Sequence, residues 1–404
     1  MALVGAREEA AAGIRDVVSE ALAATGGVLP LEPAWVAREL APAGRRLNLP
    51  EDRYDSGERG EICERWLAST TKADNRIDVE DEGLSYLAIE GQRITLRDAV
   101  TAAPVEVMGA EYARTHSGLG RLAKIFDYGS RLPYHIHPRL QHAARVGRNP
   151  KEEAYFFPDG VDMGAHPESF LGVNPWIVEE GRQDVLLPYL VDWNGDGILR
   201  HSRAWLLMPE DGFHVPAGVL HAPGTALTIE LQEDSDTLAV FQALVAGKIL
   251  SKELLFKDVS DEDRERAGEN YLLEWVDWEF NGDPHLYERT HLGPRLIESS
   301  RQPAGEEHWI YYNTTKFSGK KLTIRPGMTY TAVEKGVYTV LAWRGCGKIA
   351  GQPIRGQDPS SDEVLIAHDL ATKPHSVVNT GREDLVLLKF FGRDVNPDVP
   401  FIGR

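Results

Sequence analysis

Short apolar segments separated by turn residues fill most of this chain. From about residue 120 onward, Gly, Pro and Asp turns interrupt the apolar runs at intervals of about 8–12 residues, which is typical of all-β sandwiches and barrels. A first series comprises Leu122–Phe126, Ala154–Phe157, Ala204–Met208, Leu227–Leu231 and Leu238–Phe241. A second series, between about residues 307 and 393, comprises Ile310–Asn313, Lys321–Ile324, Tyr338–Trp343, Val364–Ala367 and Leu385–Phe391.

The remaining segments are helical or irregular in pattern. Residues 7–24 predict one amphipathic helix that ends at Gly26 and Gly27, and residues 61–70 predict a short helix. Residues 30–60 are rich in Pro, Gly and Arg and show little periodicity, whereas residues 259–280 predict a helical connector. The predicted organisation is an N-terminal cap (1–60), a β-domain (61–250), a connector (251–300) and a second β-domain (301–404).

Composition narrows the classes of partner. The 404 residues include 44 Lys and Arg against 62 Asp and Glu, a formal charge of −18. Such an acidic surface repels phosphate backbones and anionic lipids, so we expect neither nucleic-acid nor membrane binding. Only Cys63 and Cys346 are present, and no apolar run reaches the length of a membrane span or signal peptide. A cytoplasmic protein is therefore predicted.

Three histidines and a carboxylate carry the candidate chemistry. His135 and His137 are two residues apart, and in a strand such residues point to the same face. The segment Lys151–Glu153 follows, and His221 comes after a Pro-Ala-Gly turn. Three imidazoles and one carboxylate bind a divalent Zn, Mn, Fe, Co or Ni ion and leave positions open for a substrate.

Several segments together resemble the type I phosphomannose isomerase family of metal-dependent cupins, over about residues 40–245. The resemblance implies an all-β-dominated fold of two cupin jelly-roll domains, with an N-terminal helical segment and a helical connector. The matching segments are Glu64–Thr70 with Glu82–Ser85, Leu122–Asp127 with His135–Pro138, Lys151–Glu153, and Phe213–Ala222 followed by Ile229–Gln232 and Ser235–Asp236.

The resemblance also implies a site and a reaction. The metal ligands would be His135, His137, Glu153 and His221, and the ion one divalent metal, with zinc favoured over Mn, Co, Fe or Ni. The reaction would be aldose–ketose isomerisation of a small carbohydrate through an enediolate, by a monomer or homodimer. The catalytic residues would be Glu230 as the base, with Lys124 and Lys151 assisting.

Two positions depart from the family pattern. His135 stands where the family has glutamine, although a set of three histidines and one glutamate is common among cupins. Val240 stands where the family has an arginine, shortly after Ser235 and Asp236. Because arginine is a favoured partner of phosphate oxygens, its loss leaves open a substrate that is a non-phosphorylated sugar or sugar derivative.

Two other function classes stay open. A different metal-dependent cupin enzyme, such as a lyase or an iron dioxygenase, would use the same ligands, and a sugar-binding sensor could retain a metal site. In the second β-domain, Thr372–Gly381 resembles a cupin motif, but no matching pair of histidines or glutamate precedes it. We therefore expect this domain to be a metal-free scaffold, and we interpret His285 and His291 as structural.

Overall fold

The computed structural model describes the backbone of residues 2–403 and the side chains of residues 11–403. The N-terminal helix predicted over residues 7–24 is confirmed, and its Val18 is buried against the helix that begins at Leu96. None of the helices in the described part of the chain has the length and apolar composition needed to cross a bilayer. The helices are α1 (Ala2–Thr25), α2 (Leu96–Ala102), α3 (Pro104–Met108), α4 (Ala110–Thr115), α5 (Leu140–Ala143), α6 (Pro175–Glu179), α7 (Leu187–Asp192), α8 (Asp261–Ala267), α9 (Asn270–Trp275), α10 (Trp278–Asn281), α11 (Leu286–Thr290) and α12 (His368–Ala371).

The helix predicted for residues 61–70 is wrong, because Glu61–Leu67 is a strand. Residues 62–67 are all buried, so this strand lacks the apolar and polar alternation that identifies strands with one solvated face. The strands as far as the connector are β1 (Val28–Glu32), β2 (Ala34–Arg38), β3 (Glu61–Leu67), β4 (Tyr86–Leu87), β5 (Leu122–Phe126), β6 (His135–Ile136), β7 (Glu153–Phe156), β8 (Glu168–Val173), β9 (Ser202–Leu206), β10 (Gly212–Val215), β11 (His221–Ala222), β12 (Thr228–Gln232), β13 (Ala239–Val240), β14 (Leu244–Val245) and β15 (Lys248–Ile249).

Eleven of these strands build the first barrel from two antiparallel sheets. One sheet has the order β10-β7-β12-β5-β3-β2, and the other has the order β13-β6-β11-β8-β9. Helices α6, α7 and α9 cover the outer face of the second sheet, where Trp275 is fully buried among apolar side chains of β6 and β13. The helical connector predicted for residues 259–280 is thus confirmed as α8 to α10, and its α9 packs against the outer face of β6.

A second barrel follows the connector. Its larger sheet has eight strands and its smaller sheet has four, and one apolar core lies between them. Strand β1 pairs with the larger sheet, whereas β2 pairs with β3 of the first barrel, so residues predicted as irregular tie both barrels together. The strands of this half are β16 (Arg295–Leu296), β17 (Gly305–Tyr311), β18 (Ser318–Ile324), β19 (Thr329–Ala332), β20 (Tyr338–Arg344), β21 (Cys346–Ile349), β22 (Gln352–Arg355), β23 (Glu363–Ile366), β24 (His375–Asn379) and β25 (Leu385–Phe391).

The barrels share a buried interface behind the sheet that contains β7 and β12. The rings of Phe156 and Tyr311 lie 6.3 Å apart, and the Tyr311 hydroxyl donates a 2.9 Å hydrogen bond to the Ile229 carbonyl. Neighbouring residues of a strand face opposite sides, so Glu230 faces the interior of the first barrel. The all-β-dominated fold of two jelly-roll barrels with an N-terminal helix and a helical connector is confirmed.

Candidate metal centre

Three imidazole rings converge inside the first barrel. His135 lies on β6, His137 follows it by two residues, and His221 begins β11 directly opposite His135. The ring centroids of His135 and His221 are 4.1 Å apart, and each lies 5.1 Å from the centroid of His137. The side chains are buried, and one nitrogen of each lies within 4.8 Å of the others. This is the arrangement expected for two strand residues on one face, completed by a histidine from the neighbouring strand.

A tight turn brings His221 to this position. Gly218 has a backbone φ of 91°, a left-handed conformation that residues with a Cβ rarely adopt. A Cβ here would also lie 2.9 Å from the Arg139 side chain. The Gly218 amide donates a 2.9 Å hydrogen bond to the His137 carbonyl, which links the turn to the first two histidines.

Backbone carbonyls fix the tautomer of each ring. The Nδ1 atom of each histidine lies within hydrogen-bond distance of a carbonyl oxygen, and because a carbonyl only accepts, Nδ1 carries the hydrogen and Nε2 keeps its lone pair. Burial lowers the pKa of His137 to about 3 and that of His135 well below its ordinary value, so both rings are neutral. The acceptors are Pro133 O for His135 (2.7 Å), Thr237 O for His137 (2.7 Å) and Val219 O for His221 (2.9 Å).

Glu153 completes a four-residue donor set. Glu153 Oε2 lies 3.0 Å from His137 Nε2, and Glu153 Oε1 lies 3.0 Å from His221 Nε2. Lys151 Nζ lies 2.9 Å from Glu153 Oε2. Burial opposes the charge, but the Lys151 ammonium outweighs it and holds the pKa of Glu153 well below its ordinary value. The Nε2 atoms of His137 and His221 and Glu153 Oε2 are buried without a hydrogen-bond partner. These are all lone-pair donors, so the residues present fit a divalent cation.

Glu230 and two lysines lie beside this donor set. Strand pairing places Glu230 on β12 directly opposite Lys124 on β5, with Nζ 3.4 Å from Glu230 Oε1, and Lys151 Nζ is 3.6 Å from the same oxygen. Burial and the nearby Glu153 raise the pKa of Glu230 to about 7, despite both ammonium groups. Burial opposes the charge of Lys151, but Glu153 and Glu230 outweigh it and raise its pKa.

Sequence reasoning missed an arginine in this cavity. Arg38, on β2, is buried and donates to Asp236 at 3.0 Å and to Glu64 at 3.2 Å. Glu64 lies in turn 3.7 Å from Lys124 Nζ. Glu64 and Asp236 belong to matched motif segments but carry no predicted role. Salt bridges therefore run without interruption from Asp236 to Glu153, through alternating cations and carboxylates.

The position of Val240 is different from that of the site residues. Val240 lies on β13 and is fully buried in the apolar cluster that includes Phe241 and Trp275. A cavity lies over the metal centre and encloses about 500 Å³ when the open solvent at its mouth is included. Its lining comprises Arg38, Leu40, Glu64, Lys124, Phe126, Tyr128, Leu132, Pro133, His135, His137, Lys151, Glu153, Tyr155, Pro223, Glu230, Asp236 and Leu238.

The histidines outside this centre have other contacts. His291 Nε2 lies 2.8 Å from Asp211 Oδ1, and its ring stacks on Tyr287. In the second barrel, His375 of the predicted degenerate motif bonds to the Tyr338 hydroxyl at 3.0 Å. These contacts place both rings in hydrogen-bonded, packed surroundings.

Comparison with known proteins gives structural neighbours. No known protein family matches the sequence, and no curated protein does. Mannose 6-phosphate isomerase from Bacillus subtilis superposes with a TM-score of 0.61 at 16% identity, covering 90% of this chain and 99% of that one. A variant of phosphomannose isomerase from Salmonella typhimurium gives 0.60 at 12% identity, covering 91% and 100%. A zinc-bound mannose 6-phosphate isomerase gives 0.59 at 12% identity, with the same coverage. At these identities the likeness establishes the fold.

Proposed function

We propose that this chain is a metal-dependent isomerase that interconverts the aldose and ketose forms of a sugar. The observation that carries the proposal is a carboxylate oxygen, Glu230 Oε1, that is buried without a hydrogen-bond partner beside a set of orphaned metal-ligand atoms. A base next to a Lewis acid is what proton transfer alpha to a carbonyl requires. The neighbours named as mannose 6-phosphate isomerases support a carbohydrate as the substrate.

His135, His137, Glu153 and His221 would hold one divalent ion. A bound divalent ion polarises a carbonyl and stabilises negative charge on the adjacent oxygen. The zinc in one neighbour supports zinc as that ion. The chain's own part is to present imidazoles whose Nδ1 hydrogen bonds leave Nε2 free, and a carboxylate that the Lys151 ammonium keeps ionised.

Glu230 would transfer the carbon-bound proton. In the forward direction it takes the proton from C2 of the aldose, which leaves an enediolate, and delivers a proton, exchangeable with solvent, to C1. Burial raises its pKa to about 7, so near neutral pH the group is poised both to accept and to release a proton.

The two lysines would serve the oxygen atoms. Lys124 and Lys151 reach the same edge of Glu230, at 3.4 and 3.6 Å. As the enediolate forms, their ammonium groups offset charge developing on O1 and O2 and can pass a proton from O2 to O1. The buried and half-buried thiols of Cys63 and Cys346, both free, support a reducing location such as the cytoplasm.

Proton NMR in D2O tests the proposal. Protein loaded in turn with Zn, Mn, Co or Fe(II) is incubated with hexoses, pentoses and their phosphates, and we expect exchange of the C2 proton and formation of the ketose. Glu230→Gln should lower the rate by about 10²–10⁴-fold with metal content unchanged. Glu262→Gln, whose side chain is 84% exposed on α8, is the matched control and should keep the wild-type rate. A Glu230→Gln protein with full activity would exclude Glu230 as the base.

A further inference from the structure

The buried side-chain atoms of this cavity that lack a hydrogen-bond partner are all acceptors. The buried side-chain atoms of the lining without a partner are His137 Nε2, Glu153 Oε2 and Glu230 Oε1. All three accept hydrogen bonds or donate lone pairs. The first two are ligand atoms of the proposed metal, which leaves Glu230 Oε1 for the substrate. A sugar hydroxyl donates a hydrogen and satisfies such an oxygen, whereas a phosphate dianion offers only acceptors.

The cations of the lining are already bound to carboxylates. Arg38, Lys124 and Lys151 stand against Glu64, Glu153, Glu230 and Asp236, and Glu153 is also a ligand of the proposed divalent ion. Arg38 is the most fully committed, because its remaining Nη1 also donates to Asn75 Oδ1 at 2.8 Å. A second anion here would have to share a cation that buried carboxylates already hold.

The rest of the lining and the residues next to Asp236 follow the same pattern. Apolar side chains form part of the lining, namely Leu40, Leu132, Pro133, Pro223 and Leu238. Behind Asp236, two further cations share one carboxylate, with Lys257 Nζ 3.3 Å and Arg148 Nη2 2.9 Å from Asp74 Oδ2. The Asp74 amide in turn donates to Asp236 at 2.9 Å. Among the described residues that line the cavity, a phosphate would therefore meet no cation without a carboxylate partner.

We propose that the site takes an uncharged polyhydroxy aldehyde or ketone and discriminates against its phosphate ester, an inference that rests on the proposed isomerase function. A dianion in this lining would compete with buried carboxylates for the same cations, which costs at least about 100-fold in affinity. The uncharged sugar loses nothing comparable, since its hydroxyls find acceptors.

Matched pairs of ligands test this selectivity in two assays. D2O exchange compares D-mannose with mannose 6-phosphate, and D-glucose with glucose 6-phosphate, on the metal-loaded protein. Calorimetric titration compares mannitol with mannitol 6-phosphate, which have no carbonyl and measure binding without turnover. We expect kcat/KM and affinity to be at least about 100-fold lower for each phosphate. Leu238→Arg adds a cation at the mouth and should raise exchange of the phosphates about 10-fold over Leu238→Gln, which adds length without charge.

The possible results separate the two proposals. Phosphates that exchange as fast as their parent sugars overturn the selectivity and leave the isomerase standing. Absence of exchange with every sugar, together with mannitol binding more tightly than its phosphate, overturns the isomerase and upholds the selectivity. Absence of exchange with no binding of either polyol overturns both.

Discussion

Replacing Arg38 with methionine should destabilise the first barrel strongly. The substitution keeps much of the side-chain volume but removes the cation that lies between Asp236 and Glu64. Burial opposes ionisation of Glu64, yet Arg38 and Lys124 outweigh it and lower its pKa from 4.5 to about 2. A difference of this size corresponds to about 3 kcal/mol. Removing one partner of a buried ion pair costs about 3–5 kcal/mol, so we expect a loss in that range at pH 7.

The pH dependence of this loss follows from the same carboxylates. The depressed pKa of Glu64 means that its stabilising effect in the wild type is present above pH 4.5 and disappears as the pH falls towards 2. Without Arg38, burial favours the protonated forms of Glu64 and Asp236, and the variant regains stability as the pH falls and they take up protons. The difference between wild type and Arg38→Met should therefore be at least about 1 kcal/mol smaller at pH 5 than at pH 7.

Urea unfolding followed by tryptophan fluorescence and circular dichroism measures both quantities. The control is Arg76→Met, because Arg76 has a side chain 66% exposed and pairs with Glu39 at 2.7 Å at the surface. That substitution should change the free energy of unfolding by less than about 1 kcal/mol. A loss below about 1 kcal/mol for Arg38→Met at pH 7, or a loss that grows as the pH falls, would refute the assignment of Arg38 as the cation that stabilises these carboxylates.

Three further predictions concern the two barrels. Chelation of the metal should abolish exchange and lower the thermal midpoint, and His221→Ala should bind less than one divalent ion per chain, as measured by metal analysis and calorimetry. The pH profile of kcat/KM should show an acidic limb above the ordinary carboxyl value of 4.5, since burial raises the pKa of Glu230 and protonation removes the base; a rate independent of pH between 4.5 and 8 would contradict this. Lys389→Met in the second barrel should lower the free energy of unfolding by about 3–5 kcal/mol, because Glu307 and Glu334 lose their shared ammonium, while kcat/KM stays within twofold of the wild type.

The parts of the site that sequence could predict are those with a local signal. His135 and His137 are two residues apart, and strand periodicity alone aims both into one interior. His221 follows a Pro-Ala-Gly turn whose glycine adopts a conformation that other residues avoid. The position of Arg38 has no such signal, because its partners Glu64 and Asp236 are 26 and 198 residues away along the chain. The pairing of β2 with β3 brings Arg38 to Glu64, and Asp236 comes from the loop after β12 of the same sheet.

The strands that the sequence pattern does not predict, β1, β2 and β3, are missed for a related reason. β3 is buried on both faces, so its sequence lacks the alternation that distinguishes strand from helix. β1 and β2 are five residues each and are separated by Pro33, so each is too short to show a period. Both strands form because existing sheet edges accept them, β23 in the second barrel and β3 in the first. Tertiary pairing of this kind does not appear in a local pattern.

The two barrels differ in how they satisfy the polar groups of their interiors. In the second barrel, Lys389 bonds to Glu307 and to Glu334, and Lys320 bonds to Glu334 at 2.6 Å. Both nitrogens of His375 also have hydrogen-bond partners, so protein groups satisfy this cluster. The first barrel has the same succession of paired strands, with β5, β12 and β7 corresponding to β18, β25 and β20.

The polar interior of the first barrel, by contrast, keeps acceptor atoms without a hydrogen bond on His137, His221, Glu153 and Glu230, although lysines lie beside both carboxylates. Unpaired acceptors in a buried site are costly, and they are retained where a cation or a substrate supplies the missing partner. The same fold therefore gives one barrel whose central charged cluster is paired within the protein and one whose central cluster fits the ligands proposed above. This difference places the proposed chemistry in the first barrel and leaves the second to support the sheet that carries Glu153 and Glu230.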